Sequence, residues 1–298
     1  KPVSRLILGS DFFQLNHYDE ISRLLDAFRS VGGNTIDTAH LYGHGESELT
    51  IGRWMREHHA FDEFNLLTKG AHHTDVSRVN REAIRSDLLT SLERLQTGFI
   101  DMYALHRDDP SVPVGAILEW LNEHVEAGRI GAIGASNWTC HRLQEANDYA
   151  VEHGLRGFSF SSPNLSLAKA REPIWKNSVS VYADTLAWHE KSGLPLLSWS
   201  PLARGFFTGR YSPDDLENKD IVRTFYCDDN WERLRRARQL AEDKNVSAAQ
   251  IALAYVLNQP FPVCAIVGVR SLPHIHSCVE AAGLTLTRQE TEWLDLVV

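Results

Sequence analysis

The chain has 298 residues, of which 43% are hydrophobic and 23% charged, with a formal net charge of −9. That is enough apolar material for one large core. The acidic balance turns the chain away from nucleic acid and anionic membranes as partners, leaving a small molecule as the expected ligand.

Short β-rich runs alternate with longer amphipathic stretches. A strand is expected over Leu6–Ser10, then a helix over Tyr18–Val31 with Ile21, Leu24, Leu25 and Phe28 on one face; spacing of three and four residues is the helical signature. The rhythm repeats as strand Asn34–Ala39 and helix Glu46–Glu57, strand Phe64–Lys69 and helix Asn80–Leu95, strand Phe99–His106 and helix Val114–Ala127. It continues as strand Ile130–Ser136 and helix Thr139–Glu152, strand Gly157–Ser161 and helix Val179–Lys191, and strand Pro195–Trp199. An irregular stretch from Pro201 to about Asp228 precedes helices over Asp229–Lys244 and Ala248–Leu257. A last strand, Cys264–Val269, leads into helices over Pro273–Ala281 and Gln289–Leu296.

Alternating strands and helices imply a parallel sheet with crossover helices. Eight such units suggest a closed (β/α)8 TIM-type barrel occupying residues 1–298 as one α/β domain, with its active site at the C-terminal ends of the strands. No G-x-G-x-x-G follows the first strand, so the open dinucleotide-binding fold lacks its fingerprint. Cys140, Cys227, Cys264 and Cys278 form no C-x-x-C pair and match no zinc spacing, which points to a reduced, cytoplasmic protein. No secretion signal or membrane-spanning run is visible. The chain starts at Lys1 without an initiator methionine; a processed product and a piece of a longer chain both stand open.

The strand ends carry the candidate chemistry. Asp37 closes the second strand with Tyr42 in the loop beyond, Lys69 closes the third, His106 the fourth, and Ser136 and Asn137 the fifth. Each alone has an ordinary structural reading as a cap, a packed ring or a solvated cation. Together they suit hydride reduction of a carbonyl, which needs a proton donor beside the carbonyl oxygen. An ammonium near a phenol favours the phenolate and lowers its pKa. A carboxylate would hold that ammonium in place, and an imidazole can polarise the carbonyl.

Asn34-Thr35-Ile36-Asp37-Thr38-Ala39-His40-Leu41-Tyr42-Gly43, with Glu46 beyond, resembles the signature of the aldo-keto reductase superfamily. Leu67-Thr68-Lys69 and Asp101-Met102-Tyr103-Ala104-Leu105-His106 fall where that family places its lysine and histidine. Arg129 to Trp138 is similar to its nicotinamide-amide site, and Ser198 to Gly205 to its seventh-strand cofactor loop. The resemblance covers nearly the whole chain. It implies an oxidoreductase acting on aldehydes and ketones, with Tyr42 as general acid, Lys69 tuning it, Asp37 pairing with Lys69 and His106 orienting the carbonyl. It also implies a cofactor held by Ser10, Asp11, Ser136, Asn137, Trp199, Ser200, Leu202, Arg204, Gly268, Arg270, Ser271 and His274, with the Trp199 ring against the nicotinamide.

Three departures stand out. Phe160 to Asn164 replaces the glutamine of many members and resembles a bacterial-type branch. His274 stands where an arginine or glutamine is common, but Arg270 and Ser271 remain, so NADP is the first choice of cofactor through Arg270, with NAD left open. A long C-terminal substrate loop has no counterpart, and the pocket is expected to be open. Phe12 and Arg107 are expected to face substrate, Arg107 to bind an anionic or hydroxylated one, and the polar loops lean toward sugars or other hydroxylated carbonyl compounds. For Arg107, a salt bridge to neighbouring Asp108 or Asp109 is an equal alternative. The pairs His58-His59 and His72-His73 are expected on the surface, and no catalytic metal is expected. A cofactor-binding regulatory subunit and a barrel lyase using a Schiff base on Lys69 are the competing functions. Physiological substrate, direction and oligomeric state are not readable.

Overall fold

The computed structural model describes residues 1–298. Its eight strands are hydrogen-bonded in chain order as a closed barrel. They are β1 (Leu6–Gly9), β2 (Thr35–Asp37), β3 (Asn65–Gly70), β4 (Ile100–Leu105), β5 (Ile130–Ser136), β6 (Phe160–Ser162), β7 (Leu196–Trp199) and β8 (Val263–Val267). The helices are α1 (Tyr18–Ser30), α2 (Glu46–Glu57), α3 (Arg81–Arg94), α4 (Val114–Glu126), α5 (Cys140–His153), α6 (Ala183–Ser192), α7 (Lys219–Phe225), α8 (Asp228–Lys244), α9 (Ala248–Leu257), α10 (Leu272–Gly283) and α11 (Arg288–Leu294). The (β/α)8 barrel expected from the alternation is the fold observed. No helix is long and apolar enough to cross a membrane. By internal packing the chain divides into two compact units, Lys1–Ser162 with Gly268–Arg270, and Pro163–Val267 with Ser271–Val298.

In the first unit the strands pair in parallel, with Ile36 opposite Leu66, Thr68 opposite Tyr103 and Ala104 opposite Gly134. Every residue of β1, β2 and β3 is buried, as parallel strands covered on both faces require. Helix starts are set by capping. The Asn80 side chain accepts from the Ala83 amide and the Thr139 side chain from the Arg142 amide, so α3 and α5 begin one residue after each cap. β6 lies later than expected from the Gly157–Ser161 run, because Phe160 and Ser162 are the residues in register with Gly134 and Ser136.

Behind β3 a buried polar cluster braces the loop that follows β2. Arg94, at the end of α3, donates to the His40 carbonyl at 2.8 Å and lies 3.3 Å from the fully buried Glu48. Glu48 in turn accepts from the Thr68 hydroxyl at 2.7 Å. Gly52 allows α2 to approach this point: a Cβ there would fall 2.4 Å from the Arg94 carbonyl oxygen and 2.8 Å from the Leu95 backbone.

In the second unit β7 and β8 pair in parallel, Leu196 opposite Val263 and Trp199 opposite Ile266. α9 is buried on every side and starts with a capping box between Ser247 and Gln250. The stretch expected to be irregular after Pro201 contains a 3-10 segment, Ala203–Thr208, and the short α7. α7 is fixed by the Asn218 side-chain cap and by buried Ile221 and Phe225. α6 begins later than its apolar pattern suggests, because Val179 and Val181 are drawn into backbone hydrogen bonds with Asn164 at 2.9 and 2.8 Å. The Lys169 ammonium joins the Tyr255 hydroxyl and the Asp295 carboxylate, each at 3.0 Å, tying an early loop of this unit to α9 and to the chain end after α11.

The Gly52→Ala substitution tests the close approach of α2 and α3. Overpacking against backbone costs about 1–3 kcal/mol, so the variant should melt several degrees below the parent by calorimetry. An unchanged midpoint would show that the helices can separate freely.

Candidate active site

Four side chains of the first unit meet at the C-terminal ends of β2, β3 and β4. Lys69 lies 2.5 Å from Asp37 Oδ1, donates to the Thr38 carbonyl at 2.9 Å and reaches the Tyr42 hydroxyl at 3.4 Å. The Tyr42 ring stands edge-on to the His106 ring at 5.7 Å between centroids. Asp37, Lys69 and His106 are buried and Tyr42 is partly exposed. The backbone locks the arrangement: the Thr38 amide donates to the Leu67 carbonyl at 2.8 Å and the His40 amide to the Lys69 carbonyl at 2.9 Å. Tyr42 opens a 3-10 turn in which Gly43 and His44 both have positive φ, and this aims the phenol back over the strand ends.

The charges follow from this geometry. Burial works against the Lys69 ammonium, but Asp37 and Tyr42 outweigh it and hold its pKa above the ordinary lysine value. Burial lifts the Asp37 carboxyl, and Lys69 pulls it back. For Tyr42, burial raises the phenol pKa by more than Lys69 lowers it. The lowering expected from the ammonium is therefore present but outweighed, and the phenol keeps its proton through neutral pH. Burial, followed by the Lys69 and Arg107 charges, holds His106 well below the usual histidine range, so its ring is neutral.

The residues of the first unit expected at the cofactor surround this centre. The Ser10 hydroxyl is buried without a partner, while Asp11 is exposed and its charge reaches both Asp37 and Tyr42. Ser136 donates to the Ser162 carbonyl at 2.9 Å. Asn137, at φ 61°, donates from its carboxamide to Ser136 at 3.0 Å and to the His106 carbonyl at 3.3 Å. The exposed Arg270 stacks its guanidinium 4.6 Å from the centre of the Phe12 ring, so Phe12 is also a platform for that cation. Gly268 is exposed.

In the second unit, Trp199 ends β7, and its carbonyl accepts from Asn164 at 2.9 Å. Its ring packs against Trp175 at 5.1 Å, and the Arg204 guanidinium lies over the Trp175 ring, 5.7 Å from its centroid. Ser200, Ala203, Arg204 and Gly205 all have positive φ, and the segment is closed by its own turns, the Ala203 amide donating to the Ser200 carbonyl and the Gly205 amide to the Leu202 carbonyl, each at 3.0 Å. One Arg204 guanidinium nitrogen and the Trp199 indole nitrogen are buried without partners. Leu202 is partly exposed beside them. Ser271 immediately precedes α10 and makes no side-chain cap bond, and His274 is exposed on the first turn of that helix.

Sequence reasoning missed three participants. Trp175 stands in no recognisable motif, Asn164 is noticed only as the end of the Phe160 to Asn164 segment, and His72 only as half of an adjacent histidine pair. His72, expected at the surface, is partly buried with its ring edge-on to His106 at 4.9 Å, because the turn after β3 brings it over the mouth of β4. His58 is likewise packed, stacked on Trp54 at 5.0 Å, while His59 is exposed and His73 partly so.

The pattern that defines the Aldo/keto reductase family matches residues 5–297. Norsolorinic acid reductase B of Dothistroma septosporum is 30% identical, the match spanning 98% of this chain and 78% of that protein. Aldo-keto reductase str7 of Strobilurus tenacellus is 27% identical over 91% of this chain and 79% of its own. An aldo-keto reductase from Klebsiella pneumoniae, solved in complex with NADPH, has the same fold, with a TM-score of 0.73 at 24% identity over 99% of this chain and 91% of that one. A motif set in the expected order, a four-residue centre assembled by the fold and a family match along almost the whole sequence agree: this chain belongs to the aldo/keto reductase family.

Proposed function

We propose that the chain is an NADP(H)-dependent oxidoreductase that reduces aldehydes or ketones to alcohols, with Tyr42 as the general acid. The observation that carries the reading is the contact of one charged ammonium, Lys69, with Asp37 at 2.5 Å and Tyr42 at 3.4 Å beside a neutral imidazole. The bound cofactor supplies the hydride. Residues of each unit fit such a group: unpartnered buried donors on Arg204 and Trp199 in the second, and an unpartnered Ser10 hydroxyl in the first, suit a polyanion with a planar ring. Ser136 and Asn137 would hold the carboxamide, Trp199 would stack on the ring, and Ser200, Leu202 and Arg204 would hold the pyrophosphate. Gly268, Arg270, Ser271 and His274 would hold the adenosine end, where Arg270 can clasp a 2′-phosphate. The NADPH bound by the Klebsiella relative supports this choice.

In the reductive direction Tyr42 donates its proton to the carbonyl oxygen as negative charge develops there. Lys69 stabilises the phenolate left behind, and Asp37 keeps Lys69 charged and aimed. Neutral His106 donates a hydrogen bond to the same oxygen, a role an imidazole fills without changing its charge. A Schiff-base lyase would need a neutral Lys69 amine, whereas the ion pair with Asp37 holds it protonated. The four cysteines, none of them in a C-x-x-C pair, suit a cytoplasmic setting.

Tyr42→Phe should lower the rate of carbonyl reduction by several orders of magnitude, about what loss of a positioned acid removes, with cofactor affinity nearly unchanged; parental rates would remove Tyr42 from the mechanism. The pH profile of kcat/KM for reduction should be level across neutrality. His106 is already neutral there because its pKa is depressed, and Tyr42 stays protonated because its pKa is raised. Activity should fall only as pH climbs through the raised phenol pKa, and a limb near pH 6.5 that vanishes in His106→Asn would contradict this assignment. Titration with NADPH should quench tryptophan fluorescence saturably through Trp199, more tightly than with NADH. Absence of any binding by fluorescence and calorimetry would end the oxidoreductase reading.

A further inference from the structure

Arg107 follows His106 at the end of β4 and has only 7% of its surface exposed. Its single protein hydrogen bond runs to the His106 carbonyl at 2.8 Å. No carboxylate lies within ion-pair distance of it. The two acids beside it in sequence are engaged elsewhere: Asp108 pairs with Arg142 at 3.1 Å, and Asp109 accepts from the Ser111 amide at 3.0 Å and the Ser111 hydroxyl at 2.6 Å. The loop salt bridge that the sequence allowed is therefore absent. A guanidinium carries five N–H donors, and most of these have no acceptor in the protein.

The position of the charge gives it meaning. It acts on the Tyr42 phenol and on the His106 and His72 rings, which are the groups that face a reacting carbonyl. His72 is half-buried against His106 and is itself held below the usual histidine range by burial and then by Arg107, so it contributes no second cation. A guanidinium largely withdrawn from water without a counter-ion is costly for the fold, and the Arg107 nitrogens without a protein acceptor keep an opening to solvent. Placed at the mouth of a reaction centre, it is complementary to an anion that arrives with the substrate, and its planar fork matches a carboxylate in particular.

We propose that Arg107 recognises a carboxylate on the substrate, so that oxo acids and aldehyde acids are the preferred class over neutral carbonyl compounds. The inference rests on the reductase reading above and names its substrate class. Of the anionic and hydroxylated substrates that the sequence allows for Arg107, it selects the anionic. Arg107 also lies close enough to Tyr42 to act instead by favouring the phenolate, and the two roles separate experimentally.

The test compares terephthalaldehydic acid with its methyl ester, and succinic semialdehyde with butanal, using the intact protein and NADPH. The quantity read is the ratio of kcat/KM for each acid to that for its neutral partner, in which any general effect on turnover cancels. The parent protein should favour the acids by about tenfold or more, a factor within reach of one hydrogen bond to a charged group. Arg107→Gln should collapse the ratio through KM of the acid, and Arg107→Lys should keep part of it, which separates lost charge from disturbed packing. A ratio near one in the parent, or the same ratio in parent and Arg107→Gln, would overturn the proposal. So would an equal loss for acid and ester with a displaced alkaline limb in the pH profile, which is the signature of tuning Tyr42. If the neutral aldehydes are reduced, the reductase reading stands whichever way the ratio falls; if none of the four is reduced, that reading fails and this inference falls with it.

Discussion

The ion pair between Lys69 and Asp37 is the constraint on which the site depends. An ammonium buried at the end of β3 is tolerable only with a counter-charge and hydrogen bonds in fixed places. Asp37 supplies the charge at 2.5 Å, and the Thr38 carbonyl supplies an acceptor at 2.9 Å. Both come from the end of β2, so the register of β2 against β3 is a condition for charge balance as well as for backbone pairing. A slip of one residue would turn Asp37 to the opposite face and leave Lys69 alone. The cluster of Arg94, Glu48 and Thr68 reinforces the same register from behind, since Glu48 holds the residue next to Lys69 while Arg94 holds the loop that carries Tyr42.

The second unit contains the same three residue types in contact: Lys169, Asp295 and Tyr255. Nothing about a lysine, an aspartate and a tyrosine is therefore catalytic by itself. Tyr255 is 1% exposed in the middle of an all-buried helix, and its hydroxyl is engaged by both partners. Tyr42 is partly exposed, sits on a turn made by positive-φ residues and faces an imidazole. The first trio can pass a proton to something from outside, whereas the second can only join distant segments of its own unit. Access and backbone, rather than composition, divide the active centre from the strut.

Much of this was legible in the sequence where the signal is local. Apart from the starts of β6 and α6, strands of continuous apolar residues and helices with a 3.6-residue period lie within a residue or two of their expected bounds, and α2, β5 and α9 match at both ends. The four residues of the candidate site were legible as a group because each lies at or just past a strand end, where a barrel gathers its chemistry. What escaped depends on partners far along the chain. α7 is too short for periodicity and exists through one cap and two buried side chains. The Lys169 strut joins residues from opposite ends of its unit. His72 reads as half of a polar pair, and only the turn after β3 sets it against His106.

The net pKa of Tyr42 illustrates the same limit within the site. Sequence supplies the ammonium that lowers it, but burial, which raises it further, is a property of the closed fold. The two opposing effects suit a reaction run toward the alcohol. A phenol made too acidic by Lys69 alone would lose its proton near neutrality and have none to give. A phenol buried without Lys69 would hold its proton too firmly to release it. Left-handed backbone at Ser200, Ala203 and Arg204, each a non-glycine residue paying about 1–2 kcal/mol for that conformation, belongs to the same logic. Strain of this kind persists where the surrounding structure holds a segment in one shape, and here it lies in the loop that carries Arg204, one of whose guanidinium nitrogens is buried without a partner. The barrel fixes where charge and strain can be tolerated, and the reactive groups occupy those places.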